Sequence, residues 1–127
     1  MGHQLKFRRL SRPYVVVRLA PDEAVPSWAT KGEFTSISRS SDELSIVCLA
    51  ENLPHDIDAK LNWICLKLEG PFAFSLTGVL LSFIEPLSSK GIPIFAVSTY
   101  DTDYVLIQED WAGAALDSLR QAGHQLV

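Results

Sequence analysis

The changes of hydrophobic periodicity after residue 63 limit the possible fold more than any other feature of this sequence. Residues 63–69 alternate between apolar and polar side chains, which predicts a half-buried strand. Apolar residues then recur at helical spacing between Leu76 and Leu87, as on one face of an amphipathic helix. The predicted elements are a strand over 63–69, a helix between a cap at Ser75 and a stop at Gly91, strands over 92–98 and 103–108, a helix between a cap at Asp110 and a stop at Gly123, and a strand over 125–127.

The order β-α-β-β-α-β predicts a ferredoxin-like α+β fold, in which an antiparallel sheet carries both helices on one face. The first half of the chain starts the same order, with a strand over 14–20, a short helix-like segment and a hairpin over 34–38 and 44–50. The pattern ends in residues 51–62, which have no apolar periodicity. We therefore expect a tandem of a degenerate unit over 1–60 and a full unit over 61–127. The last helix and strand could complete either half, and shorter connections favour the second.

The composition is that of a globular domain and argues against several classes of partner. The chain has 127 residues, 47% of them hydrophobic, which is enough to bury a core, and no apolar run is long enough to span a membrane. The basic start of the chain lacks the apolar segment of a secretion signal. A net charge of −4 argues against a nucleic-acid partner, and the one basic cluster is expected to be a solvated strand face. That cluster consists of Arg8, Arg9 and Arg12.

The two cysteines, Cys48 and Cys65, each lie inside an apolar run. This placement favours two buried thiols in a reducing cytoplasm, although the sequence leaves a disulfide open. We therefore expect a soluble cytoplasmic protein without a nucleic-acid or membrane partner.

Motifs of catalysis and metal binding are not found in the sequence. The three histidines, His3, His55 and His124, lie far apart and without the spacing of a metal site or a catalytic triad. Asp101 and Asp103 offer too few oxygen atoms for a calcium loop, and no glycine-rich phosphate loop occurs. The expected protein is not an enzyme and has no metal or cofactor.

Several segments, in the right order, closely resemble the ACT-domain family. They are Pro-Ser-Trp-Ala (26–29), Glu-Leu-Ser-Ile-Val-Cys (43–48), the run from Leu68 to Leu80, and the run from Gly91 to Leu106. The match is to the CASTOR/ACT-like branch of small tandem ACT proteins, which is related to the regulatory ACT domains of aspartokinases, and it covers about residues 13–126. The resemblance implies paired ACT units, often in a homodimer, that bind a small effector, typically an amino acid, at the seam between units. The sequence departs from this pattern at 51–62, where a full first unit has its second helix.

The residues can meet the needs of a zwitterion on chemical grounds. The turn between Gly70 and Gly78 precedes a helix, whose first N–H groups are unpaired and suit a carboxylate. Gly78, expected one turn inside the helix, leaves room for a ligand. Asp101 and Asp103 face the same way if their segment is extended, and suit an ammonium group. The predicted ligand-binding residues are Phe74, Ser75, Thr77, Gly78, Thr99, Asp101, Thr102 and Asp103.

The resulting hypothesis is a small regulatory protein that binds an amino acid or similar zwitterion at an ACT–ACT interface. Each predicted site residue also has a purely structural alternative. Ser75 and Thr77 could cap the helix without contacting a ligand, and Asp101 and Thr102 could form the turn without contacting one. Gly78 can serve a helix contact. The alternative function is a protein–protein assembly module with an ACT fold and no small-molecule ligand.

Overall fold

The computed structural model describes residues 3–70, 72 and 77–127. Within them the chain forms eight strands and two helices. Short 3₁₀ turns also occur at Ser27–Thr30, Ala50–Asn52 and Glu109–Trp111. The elements are β1 (Lys6–Arg9), β2 (Tyr14–Leu19), β3 (Ser36–Arg39), β4 (Leu44–Leu49), β5 (Trp63–Leu68), α1 (Val79–Ser89), β6 (Phe95–Ser98), β7 (Asp103–Gln108), α2 (Ala112–Gln121) and β8 (Gln125–Leu126).

The chain divides into two units. The N-terminal unit is Ser11–Trp63, and the C-terminal unit is Met1–Leu10 together with Ile64–Val127. The C-terminal unit therefore takes its first strand from the start of the chain, and the whole N-terminal unit is inserted between β1 and β5. No helix in the described part of the chain is long and apolar enough to cross a membrane.

In the C-terminal unit the strands lie in the order β6-β7-β5-β1-β8. From β5 onward, the elements follow the predicted order β-α-β-β-α-β. Strand β1 is inserted between β5 and β8: it is antiparallel to β5 and parallel to β8. The sheet of this unit is thus mixed, and the predicted purely antiparallel sheet is wrong for this pair of strands. Parallel pairing arises because β1 comes from a separate, earlier part of the chain rather than from a hairpin with β8.

Both helices pack on the same face of this sheet, as predicted. One core contains Phe83 of α1 and Leu119 of α2 together with Leu66 and Leu68 of β5. Phe7 of β1 lies in the same core, where its ring contacts Phe83 edge to face at a centroid distance of 5.1 Å.

The helix C-termini follow the sequence closely, whereas the N-termini do not. Gly91 has a φ of +71°, its N–H donates to Ser88 O, and the next N–H donates to Leu87 O, which is a Schellman C-cap. At the other end, α1 begins at Val79 and its N-cap is Gly78 with a φ of +77°. The predicted cap at Ser75 and the placement of Gly78 inside the helix are therefore wrong.

The second helix also begins later than predicted. Its N-cap is Trp111 and its first residue is Ala112, while Asp110 lies in the 3₁₀ turn before it. No side chain caps this helix. The predicted cap at Asp110 is wrong because the chain first makes a tighter turn after β7.

In the N-terminal unit, β3, β4 and β2 form an antiparallel sheet in that order. Its core includes Val15, Val17, Leu44 and Ile46. The segment before β3 contributes only a 3₁₀ turn, and residues 53–62 form no helix, in agreement with the loss of periodicity over 51–62.

The hairpin of each unit is built in the same way. Each has a four-residue loop, 40–43 or 99–102, in which the N–H of the first residue donates to the carbonyl of the fourth. In each loop the first hydroxyl, Ser40 Oγ or Thr99 Oγ1, accepts a hydrogen bond from a backbone N–H of the same loop. The second strand of each hairpin has six residues and leads directly into a 3₁₀ turn. Asp42 and Asp101 occupy the same position in the two loops.

Candidate functional site

A pocket of about 340 Å³ lies in the C-terminal unit between the start of α1 and the β6–β7 loop. We call it the helix-end pocket. Its described lining residues are Phe72, Gly78, Val79, Leu80, Leu81, Ser98, Thr99, Tyr100, Asp101, Thr102 and Asp103. The structure thus brings together five of the eight residues predicted from the sequence, namely Gly78, Thr99, Asp101, Thr102 and Asp103.

The other three predicted residues are not in this group. Phe74 and Ser75 lie outside the described residues. Thr77 lines a neighbouring groove of about 1110 Å³, and its carbonyl accepts a hydrogen bond of 3.0 Å from His3 Nε2.

The helix side of the pocket is the uncapped end of α1. Gly78 adopts the left-handed conformation there, and no side-chain cap is present. The first N–H groups of a helix have no intrahelical acceptor, and they lie at the positive end of the helix dipole. This side of the pocket suits an anionic group such as a carboxylate.

The hydroxyl groups of the loop are used to hold the loop itself. Thr102 is only 7% exposed, and its Oγ1 donates a hydrogen bond of 2.6 Å to Leu68 O. Thr99 Oγ1 accepts from Thr102 N and donates to Thr102 O. These two threonines therefore fix the loop to itself and to β5, which gives them a structural role at the pocket.

The two carboxylates differ in their surroundings. Asp103 is the first residue of β7, and its Oδ1 accepts a hydrogen bond from Ser98 Oγ. Asp101 is exposed and lies in a bend of the loop, whereas the extended segment begins only at Asp103. The backbone carbonyl of Asp101 accepts a hydrogen bond of 2.9 Å from Phe72 N, which fixes the position of this part of the loop.

Sequence reasoning missed the contribution of Gly70 to this geometry. A Cβ at this position would lie 3.0 Å from Asp101 O and 3.1 Å from Phe72 Cδ2. Only glycine lets the end of β5 come this close to the loop without displacing it. The sequence signal for this close approach was the Gly70-Pro71 pair directly after an apolar strand.

Two exposed apolar side chains of the pocket were also missed as site residues. Leu81 is 58% exposed and Tyr100 is 78% exposed, and both line the helix-end pocket. Two sequence signals could have identified them as exposed apolar residues. Leu81 lies off the apolar stripe of α1, and Tyr100 is an aromatic residue in a predicted turn.

Two of the three histidines, His3 and His124, make hydrogen bonds to backbone groups through their rings. His124 is 4% exposed, and Leu5 N donates to its Nδ1 at 3.1 Å. The proton must then be on Nε2, which donates to Ser82 O at 2.8 Å. Among the described residues, no three His, Cys, Asp or Glu side chains are grouped so as to hold a metal ion.

Both cysteines are free and buried, as predicted. Burial raises the pKa of the Cys48 thiol to about 11. At neutral pH this group is therefore a protonated thiol, a poor nucleophile and a poor metal ligand.

The order β-α-β-β-α-β, with both helices on one face of the sheet, defines an α+β domain of the ferredoxin-like class. Comparison with known families finds an ACT domain over residues 58–121, half of the chain, and a family described as an N-terminal domain over residues 12–56. The chain belongs to the ACT-domain family. ACT domains are regulatory, and they commonly bind small ligands and oligomerise.

Two solved structures are similar over nearly the whole chain. Protein Atu0741 from Agrobacterium tumefaciens is 45% identical, with a TM-score of 0.92 over 99% of this chain and 94% of that chain. VC0802 from Vibrio cholerae, described as a protein of unknown function and a possible transport protein, is 19% identical, with a TM-score of 0.74 over 91% of this chain and 88% of that chain. At 19% identity the likeness shows the fold alone.

Proposed function

We propose that this chain is a small regulatory protein that binds an amino acid or a similar zwitterion in the helix-end pocket. One observation carries the proposal: the uncapped start of α1 and the two carboxylates of the β6–β7 hairpin line the same pocket. A free amino acid has a carboxylate and an ammonium group on one carbon atom. A pocket with a positive helix end on one side and carboxylates on the other complements both charges.

Each residue of the pocket has a stated role in this proposal. The N–H groups after Gly78 receive the ligand carboxylate, and the absent side chain of Gly78 leaves room for it. Asp101, which is exposed, receives the ammonium group, while Asp103 is held by Ser98 and adds negative charge. Phe74, Ser75 and Thr77 remain predicted contributors on the helix side, and Thr99 and Thr102 shape the loop.

The similar hairpins support a tandem of ACT units whose first member is degenerate, with the first unit over Ser11–Trp63 instead of the predicted 1–60. In the N-terminal unit Arg39 stands where the C-terminal unit has Ser98, and Leu44 stands where it has Asp103. The Arg39 guanidinium donates to the carbonyls of Pro21 and Glu23, and so ties the hairpin to the chain after β2. This unit therefore has an apolar residue in the place of Asp103, and its second loop carboxylate, Glu43, stands in the place of Thr102. This difference favours one ligand per chain.

The regulatory mechanism that we propose follows the CASTOR and aspartokinase branch of the family. A second ACT unit, in a homodimer, closes over the pocket, and a ligand that contacts both units favours the paired state. A ligand shifts such an equilibrium only by its differential affinity for the two states. The ligand should therefore bind the paired form more tightly than the unpaired form.

The test is a thermal-shift screen with the twenty amino acids on the wild-type protein and on Asp101→Ala. A ligand at 100 times its Kd stabilises the folded state by about 2.7 kcal/mol, which raises Tm measurably. We expect at least one amino acid to raise the Tm of the wild type and to lose this effect in Asp101→Ala. Asp42→Ala is the matched control, because Asp42 has the same place in the equivalent hairpin loop and should leave the response unchanged. A screen in which no amino acid raises Tm contradicts the proposal.

A second candidate function is the assembly module without a small ligand. The observation that favours it is the exposure of Leu81 and Tyr100, because apolar surface of this kind is often covered by another protein. This function predicts association of the wild-type chain without any amino acid. Sedimentation of the protein with and without the hits of the screen separates the two candidates.

A further inference from the structure

The ring of His124 connects three parts of the C-terminal unit. His124 lies between α2 and β8, its Nδ1 accepts a hydrogen bond of 3.1 Å from Leu5 N, and its Nε2 donates one of 2.8 Å to Ser82 O of α1. Leu5 O in turn accepts from Gln125 N at 2.8 Å. The ring nitrogen therefore takes the place of a backbone acceptor beside the pairing of β1 with β8. Because His124 is buried, either partner is lost only if the chain moves.

Only the neutral form of this ring can make both hydrogen bonds. In an imidazolium ion both nitrogen atoms carry hydrogen and both are donors. A proton on Nδ1 of His124 would face the N–H group of Leu5, so two donors would point at each other. The positive charge would also be buried, which is costly without a partner. Protonation of the ring therefore requires Leu5 to move away from it.

The charged groups around His124 do not take the place of these backbone partners. The titratable side chains that line the same groove are His3 and Glu85. Glu85 of α1 is exposed, and both ring nitrogen atoms of His124 are already bound to backbone groups. The two charged residues of α2 form an ion pair with each other at 2.8 Å, Asp117 with Arg120. The first basic residue of β1, Lys6, alternates with core positions and therefore faces the other side of the sheet.

The segment that would move, residues 3–5, bridges the first turn of α1. His3 N donates to Ser82 Oγ at 2.9 Å, and Ser82 Oγ donates to Gly78 O at 2.7 Å. His3 Nε2 also donates to Thr77 O at 3.0 Å. Both contacts of His3 depend on the position of Leu5, two residues further along the chain. Since Gly78 lines the helix-end pocket, a movement of this segment acts on the helix side of that pocket.

We propose that His124 is an acid-sensitive latch: when its ring binds a second proton, Leu5 detaches and residues 3–5 are displaced from the first turn of α1. Histidine is the side chain that changes charge between about pH 5 and pH 8. In the unfolded chain the ring binds this proton below about pH 6.5, whereas the folded chain binds it only after the Leu5 bond breaks. The latch therefore stabilises the fold above this pH, and its contribution is lost as the pH falls.

The first test is a pH titration of the wild-type chain without ligand, followed by ¹⁵N NMR of the His124 ring and of the backbone amides. At neutral pH the ring should carry its proton on Nε2 alone. As acid adds the second proton, the amide signals of residues 3–5 should change with the same midpoint. The control is the amide of Leu10, which donates to Cys65 O at the other end of β1 and should not change at that midpoint.

Three outcomes of this titration overturn the proposal. One is a proton on Nδ1 at neutral pH, and another is protonation of the ring without a change at Leu5. The third is a ring that stays neutral until the whole chain unfolds, since the latch would then never open in the folded protein.

The second test is urea unfolding of the wild type and of His124→Asn, a variant that keeps a hydrogen-bonding side chain but does not ionise. Between about pH 7.5 and pH 5.5 the unfolding equilibrium constant of the wild type should rise about tenfold more than that of the variant. His55→Asn is the matched control, because His55 is exposed in the loop after β4 and its loss should leave the wild-type pH dependence unchanged. Parallel pH curves for the wild type and His124→Asn overturn the proposal. If His124→Asn does not fold, the titration of the wild type decides.

Discussion

Cys48 shows how strongly burial acts on a single side chain. It lies on β4 in the core of the N-terminal unit and is fully buried. Loss of water around the thiolate raises the pKa of its thiol from 9.0 to about 11. A raised pKa means that the folded state binds this proton more tightly than the unfolded state does.

The stability of the protein should therefore depend on this group in alkaline solution. Below pH 9.0 both states hold the proton and the contribution is fully present; it is lost as the pH rises through about 11. Two pKa units correspond to about 2–3 kcal/mol. We expect the difference in unfolding free energy between the wild type and Cys48→Ala to shrink by about this amount, measured by urea unfolding at pH values across this window. Parallel pH curves for the two proteins would show that the thiol does not ionise on unfolding.

At the same scale, the sequence predicts which residue types meet at the pocket better than it predicts what each one does. Asp101, Asp103, Thr99 and Thr102 do line one pocket with Gly78. The hydroxyl of Thr102 is directed to Leu68 O, however, which is distant in sequence. A hydrogen bond across the sheet depends on strand neighbours, and spacing along the chain contains no information on them.

At the scale of elements, the ends of α1 show why helix starts are harder to predict than helix stops. Both Gly78 and Gly91 have positive φ angles. Gly91 follows the last apolar position of the stripe, so its capping role is visible in the sequence. Gly78 lies inside the apparent periodicity, because Leu76 continues the stripe beyond the true first residue, Val79. The start of α2 was likewise predicted too early, at a cap on Asp110, where the chain forms a 3₁₀ turn before the helix begins at Ala112.

These two glycines form a matched pair for mutation. Alanine at a left-handed position costs about 1–2 kcal/mol, and a Cβ at either site meets no atom closer than 4.0 Å. Gly78→Ala and Gly91→Ala should thus lower the unfolding free energy by similar amounts in urea titrations. Only Gly78 lines the helix-end pocket, so only Gly78→Ala should also reduce the rise in Tm caused by a bound amino acid. An equal ligand response in both variants would remove Gly78 from the site.

At the scale of the whole molecule, the position of β1 is what the sequence could not show. The predicted β-α-β-β-α-β order is present, but the pairing partner of β5 on one side is a strand from the other end of the chain. Strand β1 has one apolar residue, Phe7, among Lys6, Arg8 and Arg9. A strand of four residues with one apolar position shows no hydrophobic periodicity. Its pairing with β5 and β8 depends on strands far away in the sequence, which the pattern of β1 itself does not reveal.

Because the N-terminal unit is an insertion, we expect the C-terminal unit to fold without it, provided that β1 is kept. Leu10 N donates to Cys65 O at 2.9 Å, so the two ends of the insertion lie side by side. Replacing residues 11–63 by a short Gly-Ser linker should therefore give a chain that unfolds cooperatively. Residues 58–127 alone lack β1, and with it Phe7, which is 1% exposed in the core. Loss of a buried Phe side chain costs about 3–5 kcal/mol, a large part of the stability of a small domain.

Thermal unfolding followed by circular dichroism compares the two shortened chains directly. The linked chain should show a cooperative transition and the 58–127 fragment should not. A fragment that melts as cooperatively as the linked chain would mean that β1 is dispensable.

The same topology imposes an order on folding during protein synthesis. Strand β1 is synthesised before the whole N-terminal unit, β5 follows only after that unit, and β8 follows later still, after α2. Until then β1 is a strand without its sheet, and unpaired strand edges promote aggregation. Its three positive charges act as gatekeepers during this interval, because charges flanking an apolar residue disfavour association of identical strands. We therefore expect the same charges that deprive β1 of a hydrophobic pattern to limit association of the nascent chain until its sheet is complete.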